Sequence, residues 1–298
     1  MSPAFDLQSH STCSDGALEP GEVVARAAGA GVELLALSDH DTVAGVSEAV
    51  AAGKSLGVRV VPAVEISSID DPAADGDPDP GHTARELHIL GYGIDHEDQA
   101  FEQTLLEFLA DRERRTLRMA QALKDEGLEL DEAAIAARVA EGKPIGRPHL
   151  AEAVLGASAN AARLREEQID DVGSLIRGYL IEGRPAFRLR ETPTVAEAIA
   201  AIHGAGGVAV WAHPFWDVKD PDEALAMIER FEAKGIDGVE VFYITHDRAQ
   251  TELLYERCSE LGLLSTGSSD FHGPENRQFH EFMAFETYGL EPDLGRLV

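Results

Sequence analysis

The sequence predicts an α/β fold in which a mainly parallel sheet closes, or nearly closes, into a barrel. Short apolar runs alternate with helical patterns through residues 1–97 and again through residues 191–298. Between these stretches, residues 98–190 show helix after helix without a convincing strand. Strand–helix alternation favours parallel strands joined by crossover helices. We therefore predict one barrel built from both terminal stretches, with residues 98–190 inserted as a separate helical domain.

The elements of the first stretch are predicted from their periodicity and from the residues that interrupt it. Helices carry a proline near their first turn, as at Pro20, or stop at a glycine, as at Gly57. Strands are β-branched apolar runs. In order, we predict a helix at 18–30, a strand at 33–37, a helix at 43–56, a strand at 58–64 and a strand at 86–94. Residues 69–81 are rich in Pro, Asp and Gly and predict a solvated loop.

The second stretch repeats the alternation after the helical block. In order, we predict a helix at 194–203, a strand at 207–212, a helix at 221–234, a strand at 236–242, a helix at 247–261 and a strand at 263–267. In a βα-barrel the chemistry lies at the carboxyl ends of the strands. Polar side chains that directly follow these strands are therefore candidate functional residues.

Composition restricts the kind of protein that this chain can be. A chain of 298 residues with 44% hydrophobic content is ordinary for a globular protein, and the formal charge of −29 opposes binding to long nucleic acid or anionic membrane. No apolar run reaches the length of a bilayer, and the N-terminus enters a strand-like run with no room for a signal peptide. Two cysteines, Cys13 and Cys258, make no disulfide framework, so we expect a cytoplasmic protein.

Nine polar side chains lie at or near the ends of the predicted strands. Imidazoles and carboxylates gathered in such a position are ligands for divalent metal ions. His88 is the exception, because it lies within its strand and would need a bulge or an inward-facing position to take part. The nine residues are Gln8, His10, Asp15, His40, Glu65, His88, His213, Asp270 and His272.

The strings around these residues, in this order, resemble the PHP (polymerase and histidinol phosphatase) family. They are D-L-Q-S-H-S-x-x-S-D-G from Asp6, S-D-H-D-T from Ser38, V-E-I-S from Val64, H-I-L-G-Y from His88, A-H-P-F from Ala212 and S-S-D-F-H-G from Ser268. With the string G-R-P-H-L-A at 146–151, the chain resembles the PHP subgroup that contains nucleoside 3′,5′-bisphosphate phosphatases and 5′→3′ exoribonucleases. The resemblance implies a distorted (βα)₇ barrel of the PHP type, capped by the inserted helical domain.

The resemblance also implies a centre of up to three divalent ions, with Mn²⁺ as the first choice and Fe²⁺ or Zn²⁺ as alternatives. It divides the ligands into three sites: Gln8, His10, Glu65 and Asp270; Glu65, His88 and His213; and Asp15, His40 and His272. The family pattern begins with H-x-H, whereas this chain has Gln8-Ser9-His10. Because a neutral amide oxygen is a weaker ligand than imidazole, we expect a weak first site or one tuned to a harder ion.

Four further residues are candidates for substrate contacts or catalysis. Arg147 and His149 would bind phosphate, although a simple helix start also explains them. Arg184 is a similar candidate, with a surface turn as its alternative. His246 would contact phosphate or protonate a leaving group. We also assign His213 a catalytic role in addition to its role as a metal ligand.

These observations predict a metal-dependent phosphoesterase that removes the 3′-phosphate of a nucleoside 3′,5′-bisphosphate by attack of metal-activated hydroxide. The enzymatic alternatives are a 5′→3′ exoribonuclease on short RNA and a cyclic phosphodiesterase. From another class, a nucleotide-binding sensor with a weakened metal site is motivated by Gln8, and by Phe215 and Trp216 where related phosphatases often have an arginine. Those aromatic rings could instead stack on a base. The expected partner is a small nucleotide or phosphate ester, and the oligomeric state is open.

Overall fold

The computed structural model describes residues 4–71, 84–140, 145–181, 183–189 and 192–297. The chain divides into two compact units. Met1–Leu106 and Pro193–Val298 form the first unit, and Glu107–Thr192 forms the second. The predicted solvated loop lies outside the described residues from position 72 onward.

The helices of the described residues alternate with strands only in the first unit. They are α1 (Pro20–Ala30), α2 (Val46–Leu56), α3 (Gln99–Asp125), α4 (Glu132–Ala140), α5 (Arg147–Gly156), α6 (Ala161–Glu166), α7 (Val172–Leu175), α8 (Val195–Gly204), α9 (Pro214–Asp217), α10 (Pro221–Glu232) and α11 (Arg248–Leu261). Helix α3 begins in the first unit and continues into the second. None of the described helices is long and apolar enough to cross a membrane.

A sheet of seven strands forms the centre of the first unit, and its spatial order follows the chain. The strands are β1 (Phe5–Asp6), β2 (Leu34–Leu37), β3 (Arg59–Asp70), β4 (Arg85–Tyr92), β5 (Val208–Trp211), β6 (Gly238–Tyr243) and β7 (Leu264–Ser268). The two ends meet where Leu7 N donates to Gly267 O at 3.2 Å and Ser9 bridges Phe271 in parallel. The predicted α/β barrel is therefore confirmed, with the short strand β1 as an addition to the predicted elements.

Helix caps fix where two of these helices start. Thr194 precedes α8, and its hydroxyl accepts a hydrogen bond from Glu197 N at 3.2 Å while the Glu197 carboxylate accepts from Thr194 N at 2.8 Å. Asp247 caps α11 in the same way, accepting from Gln250 N at 2.9 Å. Such caps satisfy amide groups that have no partner inside the helix, and each contributes about 1 kcal/mol.

The alternation of side chains along β2 builds two layers of the core. Leu34 and Ala36 belong to the cluster inside the barrel, together with residues of β1, β3, β4 and β5. Leu35 and Leu37 belong to a second cluster that includes Val23 of α1 and residues of α2. Because successive side chains of a strand point to opposite faces, one apolar run covers both the barrel interior and the helices outside it.

Strand β3 is longer than the sequence predicts. The predicted strand ends at position 64 with Glu65 just beyond it, whereas β3 continues to Asp70 and holds Glu65 in its interior. The reason is a change of partner: β3 pairs in parallel with β2 only as far as Pro62, and it then continues in an antiparallel pair with β4. Strand β4 is antiparallel to both of its neighbours, so the sheet is parallel except around this one strand.

The second unit is helical throughout its described residues. Two short segments accompany α4 to α7, a 3₁₀-helix at Ser158–Asn160 and a π-helix at Ile176–Leu180. Its core is apolar, but Asn160 is buried in it, donating to Glu129 O at 2.7 Å and to Val154 O at 2.8 Å. The boundaries of the inserted domain, predicted at 97/98 and 190/191, lie within ten residues of the division between units. Its predicted action as a cap stays a prediction.

Candidate metal centre

Ligand atoms of all nine predicted metal-binding residues come together in the first unit. Three overlapping groups have their ligand atoms within 4.8 Å of one another: His10, Asp15, His40 and His272; His40, Glu65 and His88; and His10, Glu65 and Asp270. His213 joins them with Nε2 at 3.2 Å from Glu65 Oε1, and Gln8 joins them with Nε2 at 2.9 Å from Glu65 Oε2. The loops after several strands supply these residues, as expected at the carboxyl ends of a βα-barrel.

Glu65 lies at the centre of the cluster. Its carboxylate oxygens are 2.6 Å from His88 Nδ1, 3.1 Å from His10 Nε2 and 3.2 Å from His213 Nε2. Burial alone would raise the pKa of this carboxyl group, but the neighbouring imidazoles, His40 and His88 first among them, hold the pKa well below its usual range. Glu65 is therefore an anion at neutral pH that faces several imidazoles at once.

His88 reaches this carboxylate from the interior of β4. It lies opposite Ser67 in the antiparallel pair of β3 and β4. Because the two strands run together beyond the end of β2, a residue within β4 stands beside a residue within β3. This explains how a side chain inside a strand joins the cluster without a bulge at that position.

The group of His10, Asp15, His40 and His272 is more open, and its members surround a common space. Asp15 Oδ1 is 3.6 Å from His272 Nε2, and Asp15 Oδ2 is 3.7 Å from His40 Nε2. The ring of His10 stacks between the rings of His40 and His272, with centroid distances of 4.7 and 4.3 Å. These nitrogen–oxygen separations exceed hydrogen-bond lengths, and the atoms therefore face the same space without bonding directly to one another.

Unpaired atoms test whether the residues suit a metal. His10 Nε2 is 3.0 Å from Asp270 Oδ1, yet neither atom makes a hydrogen bond of acceptable geometry among the described residues. The same holds for His88 Nδ1 and for His213 Nδ1, which are also buried. Leaving a buried polar atom unpaired costs about 1–3 kcal/mol. A set of such nitrogen and carboxylate atoms facing one space fits divalent cations of the Mn²⁺, Fe²⁺ or Zn²⁺ type.

Unusual backbone conformations hold three of the loop residues. His213, Asp270 and Asp41 adopt positive φ angles of 31°, 54° and 54°. Each such conformation costs about 1–3 kcal/mol in a residue other than glycine and persists where surrounding contacts enforce it. For His213 this contact is a hydrogen bond in which its backbone N–H donates to Glu240 Oε2 at 2.8 Å.

Gly16 closes the first loop of the cluster. A Cβ atom at this position would lie 2.2 Å from the carbonyl oxygen of His10, and no side chain tolerates that approach. The amide of Gly16 donates to Ser11 O at 2.9 Å, which folds the loop back on itself. This tight return brings Asp15 into the same space as His10.

Gln8 presents its amide nitrogen to the cluster. Its Nε2 donates to Glu65 Oε2 at 2.9 Å, and its Oε1 accepts from Ser268 Oγ at 3.3 Å. Because an ionised carboxylate can only accept hydrogen bonds, the amide nitrogen is the group that suits this side. The predicted coordination of a metal through the amide oxygen of Gln8 would require the amide to turn, and it stays a prediction.

Two residues of β6 that the sequence did not predict, Glu240 and Tyr243, hydrogen-bond to members of this cluster. Glu240 is fully buried in β6, where it accepts from the amide of His213 and has its Oε1 at 2.5 Å from Ser268 Oγ. Burial raises the pKa of Glu240 to about 8, against the opposing charge of His213. Tyr243, also in β6, donates its hydroxyl proton to Asp270 Oδ2 at 2.8 Å. The signal was present in the string G-V-E-V-F-Y, where a carboxylate interrupts an apolar strand.

Two buried aspartates connect the loops. Asp39 accepts from Ser11 N at 2.8 Å and from Ser14 Oγ at 2.5 Å, which ties the first loop to the end of β2. Asp6 accepts from Ser269 N at 3.0 Å and from Met283 N at 2.8 Å. Burial raises the pKa of Asp6 to about 6 despite these hydrogen bonds. Asp39 thus joins the loop of His10 to the loop of His40.

The side chain of His246 is buried. It is 4% exposed, its Nδ1 is 2.9 Å from Val241 O, and its ring contacts Phe215 and Tyr243. Burial lowers its pKa to about 4. A neutral imidazole whose Nδ1 proton is donated to a carbonyl has only an acceptor at Nε2. In this environment His246 is neutral at neutral pH, and its predicted contact with phosphate or protonation of a leaving group stays a prediction.

This environment makes the stability of the protein depend on pH. Because the pKa of His246 falls from 6.5 to about 4 on folding, the unfolded chain binds a proton in this interval that the folded chain does not. We expect the free energy of unfolding to fall by about 3 kcal/mol from this group as the pH falls from about 6.5 to about 4. Urea unfolding across this range should show a shallower pH dependence for His246→Phe. The control His96→Phe, at a surface contact with Ser47, should keep the wild-type slope, and equal slopes in all three proteins would contradict the assignment.

The substrate-binding candidates lie in the second unit. Arg147 is the first residue of α5, and His149 Nδ1 accepts from Gly146 N at 3.0 Å, so the helix start explains at least part of this string. Arg184 is exposed and lines a cavity of about 480 Å³ within the second unit, together with Arg163 and Tyr179. Their predicted contact with phosphate stays a prediction.

Comparisons with known proteins agree with this geometry. A family model for the PHP domain matches residues 6–134. The chain is 31% identical over 274 residues to a 5′-3′ exoribonuclease of Haemophilus influenzae, covering 92% of each chain. It is 32% identical over 274 residues to a 3′,5′-nucleoside bisphosphate phosphatase of Chromobacterium violaceum, covering 91% of this chain and 87% of the relative. A solved amidohydrolase from the same organism, with bound sulfate, matches with a TM-score of 0.77 at 29% identity, over 94% of this chain and 90% of that one.

Proposed function

Because the chain belongs to the PHP domain family, we propose that it is a metal-dependent phosphoesterase that removes the 3′-phosphate of nucleoside 3′,5′-bisphosphates. The observation that carries this proposal is the convergence of imidazoles and carboxylates on the ionised Glu65. The similarity to a bisphosphate phosphatase over nearly the whole chain supports the choice of substrate. The net charge of −29 supports a small substrate over long nucleic acid.

The nine clustered residues would hold up to three divalent ions, with Mn²⁺ as our first choice and Fe²⁺ or Zn²⁺ as alternatives. Their proposed division is Gln8, His10, Glu65 and Asp270 for one ion, Glu65, His88 and His213 for a second, and Asp15, His40 and His272 for a third. Such ions, when bound, lower the pKa of water and neutralise charge on phosphoryl oxygens.

The residues of the chain hold this site rigid for that reaction. Glu240 fixes the backbone of His213, and Tyr243 fixes one oxygen of Asp270 so that the other faces the cluster. Preorganised groups of this kind lower the reaction barrier because they need no rearrangement as charge develops. Burial of Glu65 and His213, 1% and 4% exposed, excludes bulk water from the imidazole–carboxylate contacts.

Three cationic or imidazole side chains of the second unit remain candidates for phosphate binding. Arg147 and Arg184 carry guanidinium groups that match two phosphate oxygens at once, and His149 follows Arg147 in the same helix turn. Replacing each with alanine should raise the KM for a bisphosphate substrate if it contacts phosphate. An unaltered KM would mean that Arg147 and His149 serve only to form the start of α5.

Phosphate release tests the proposed function directly. Metal-stripped protein should release phosphate from adenosine 3′,5′-bisphosphate in proportion to added Mn²⁺, with adenosine 5′-monophosphate as the nucleotide product. Adenosine 5′-monophosphate as the starting substrate is the control, because it lacks the 3′-phosphate. Absence of turnover throughout the titration would contradict the proposed substrate.

A second candidate function follows from the exoribonuclease of Haemophilus influenzae, which matches the chain over a similar length. Stepwise shortening of a 5′-phosphorylated RNA oligomer by metal-loaded protein would favour it. Opening of a cyclic phosphodiester would favour the remaining hydrolytic alternative. Binding of nucleotide without turnover of any of these substrates would favour the sensor.

A further inference from the structure

An exposed tryptophan lies three residues beyond His213. Trp216 is 45% exposed. The other large apolar side chains that are exposed among the described residues are aliphatic. The other tryptophan, Trp211, is fully buried and packs against Phe231 with ring centroids 5.2 Å apart. A tryptophan that serves only the core is buried in this way. Trp216 instead keeps about half of its surface available for contact with a ligand.

The backbone of Trp216 is fixed relative to the cluster of candidate metal ligands. Trp216 N donates to His213 O at 2.8 Å, and Trp216 O accepts from Lys219 Nζ at 2.8 Å. Val218 N donates to Pro214 O at 3.0 Å and closes the short helix α9. The ring is consequently carried on a rigid turn that begins at a candidate metal ligand.

Phe279 connects this ring to the other side of the cluster. Its ring centroid is 5.7 Å from that of Trp216 and 5.5 Å from that of His272. Its carbonyl oxygen accepts from His272 N at 2.9 Å, and its N–H donates to Asn276 Oδ1 at 3.0 Å. The rings of His272, Phe279 and Trp216 thus form a continuous aromatic row from the ligand cluster to an exposed surface.

The charge of the protein makes such a row useful. At −29 the overall field repels an anionic substrate, so only local positive charge attracts its phosphates. An aromatic surface binds the flat, uncharged part of a nucleotide irrespective of that field, because every base has a face that stacks.

We propose that Trp216 and Phe279 form the surface on which the nucleobase of the substrate stacks while its phosphate occupies the adjoining cluster. This inference rests on the proposed function for the identity of the substrate. It assigns the preference for nucleotides over other phosphate esters to two residues outside the ligand set.

Tryptophan fluorescence tests the contact without turnover. Since Trp211 is buried, quenching by a small ligand that stacks on an exposed ring reports on Trp216. We expect adenosine 5′-monophosphate to quench the emission of metal-loaded protein, and ribose 5-phosphate, which has no base, to leave it at its starting level. Trp216→Phe should lose the quenching. If the quenching by the nucleotide persists in Trp216→Phe, or if both ligands quench equally, the proposal is overturned.

Kinetics test the same contact through selectivity. For Trp216→Ala we expect the ratio of kcat/KM for adenosine 3′,5′-bisphosphate to that for a base-free ribose bisphosphate to fall about 10-fold, mainly through KM. Phe279→Ala should lower it in the same direction, and Trp216→Phe should restore most of it. The control Leu56→Ala changes another exposed apolar residue, at the end of α2 that precedes β3 and therefore at the opposite end of the barrel. A wild-type ratio in Trp216→Ala would overturn the proposal.

These measurements separate the two hypotheses. Quenching that depends on both Trp216 and the base, in a protein without phosphatase activity, would support the stacking surface and refute the proposed function. Phosphatase activity whose selectivity is the same in Trp216→Ala as in the wild type would do the reverse.

Discussion

Glu65→Gln is expected to reduce metal-dependent phosphate release by about 1,000-fold or more. Among the described carboxylates, Glu65 stands within 3.2 Å of three imidazoles, those of His10, His88 and His213. An amide has the same shape but no charge, and one of its two ends donates hydrogen bonds and so cannot bind a cation. Losing several kcal/mol of charge stabilisation corresponds to at least three factors of ten in rate.

The metal content of the same variant supplies a readout that does not depend on activity. After dialysis against limiting Mn²⁺, Glu65→Gln should retain fewer ions per chain than the wild type, measured by elemental analysis. Glu232→Gln is the matched control, because Glu232 is an exposed carboxylate at the end of α10. Wild-type metal content together with wild-type turnover in Glu65→Gln would rule out its role as the shared ligand.

The sequence predicts the barrel because the barrel is built from local patterns. The unbroken apolar run from Leu34 to Leu37 marks a strand buried on both faces, and the helices end at residues such as Gly57 that adopt left-handed backbone angles. These patterns lie within a few neighbouring residues and do not depend on distant contacts. The direction of β4 has no such signal, because hydrogen bonding to β3 and β5 decides it, and those partners are remote in sequence.

The ligand set of the centre is also predictable in outline, whereas its support is not. His10 and His40 occur in polar strings directly after short strands, and such strings stand out in the sequence. The signal of Glu240, a carboxylate between two valines, is ambiguous, because the same pattern is typical of a strand with one face in water. Only the fold shows that both faces of β6 are buried, and burial is what brings the carboxyl group beneath His213.

His246 shows what the position of a residue leaves open. Its place just after a strand predicts a functional residue. Its Nδ1 turns back to Val241 O in the preceding strand β6, and its ring contacts the rings of Phe215 and Tyr243. The position of a residue along the chain predicts that it is near the site, but the direction of its side chain depends on packing from elements far away in sequence.

Gln8→His is expected to tighten Mn²⁺ binding at the first site by about 10–100-fold, a change of the size that ligand and supporting residues produce at metal centres. In the wild type, Gln8 directs its amide nitrogen to Glu65 and its oxygen to Ser268. An imidazole at this position would direct an unprotonated nitrogen to the same space and add a stronger ligand for a borderline metal. Calorimetric titration of metal-stripped protein measures the change, and electron paramagnetic resonance counts the coupled Mn²⁺ ions.

The control and the competing outcome decide what Gln8 does in this chain. Gln8→Leu removes both hydrogen bonds without adding a ligand, so it should loosen Glu65 and weaken metal binding if Gln8 positions that carboxylate through its amide nitrogen.

If Gln8 coordinates through its oxygen instead, Gln8→Glu should bind metal more tightly than the wild type, because it adds a charged oxygen ligand at the same distance. Under the positioning role, Gln8→Glu places a second carboxylate 2.9 Å from Glu65 in the metal-free protein, which raises the pKa of one of the two groups and makes metal affinity fall steeply below neutral pH. A parent enzyme that is silent with Mn²⁺ and gains turnover in Gln8→His would identify Gln8 as the residue that limits catalysis in this chain.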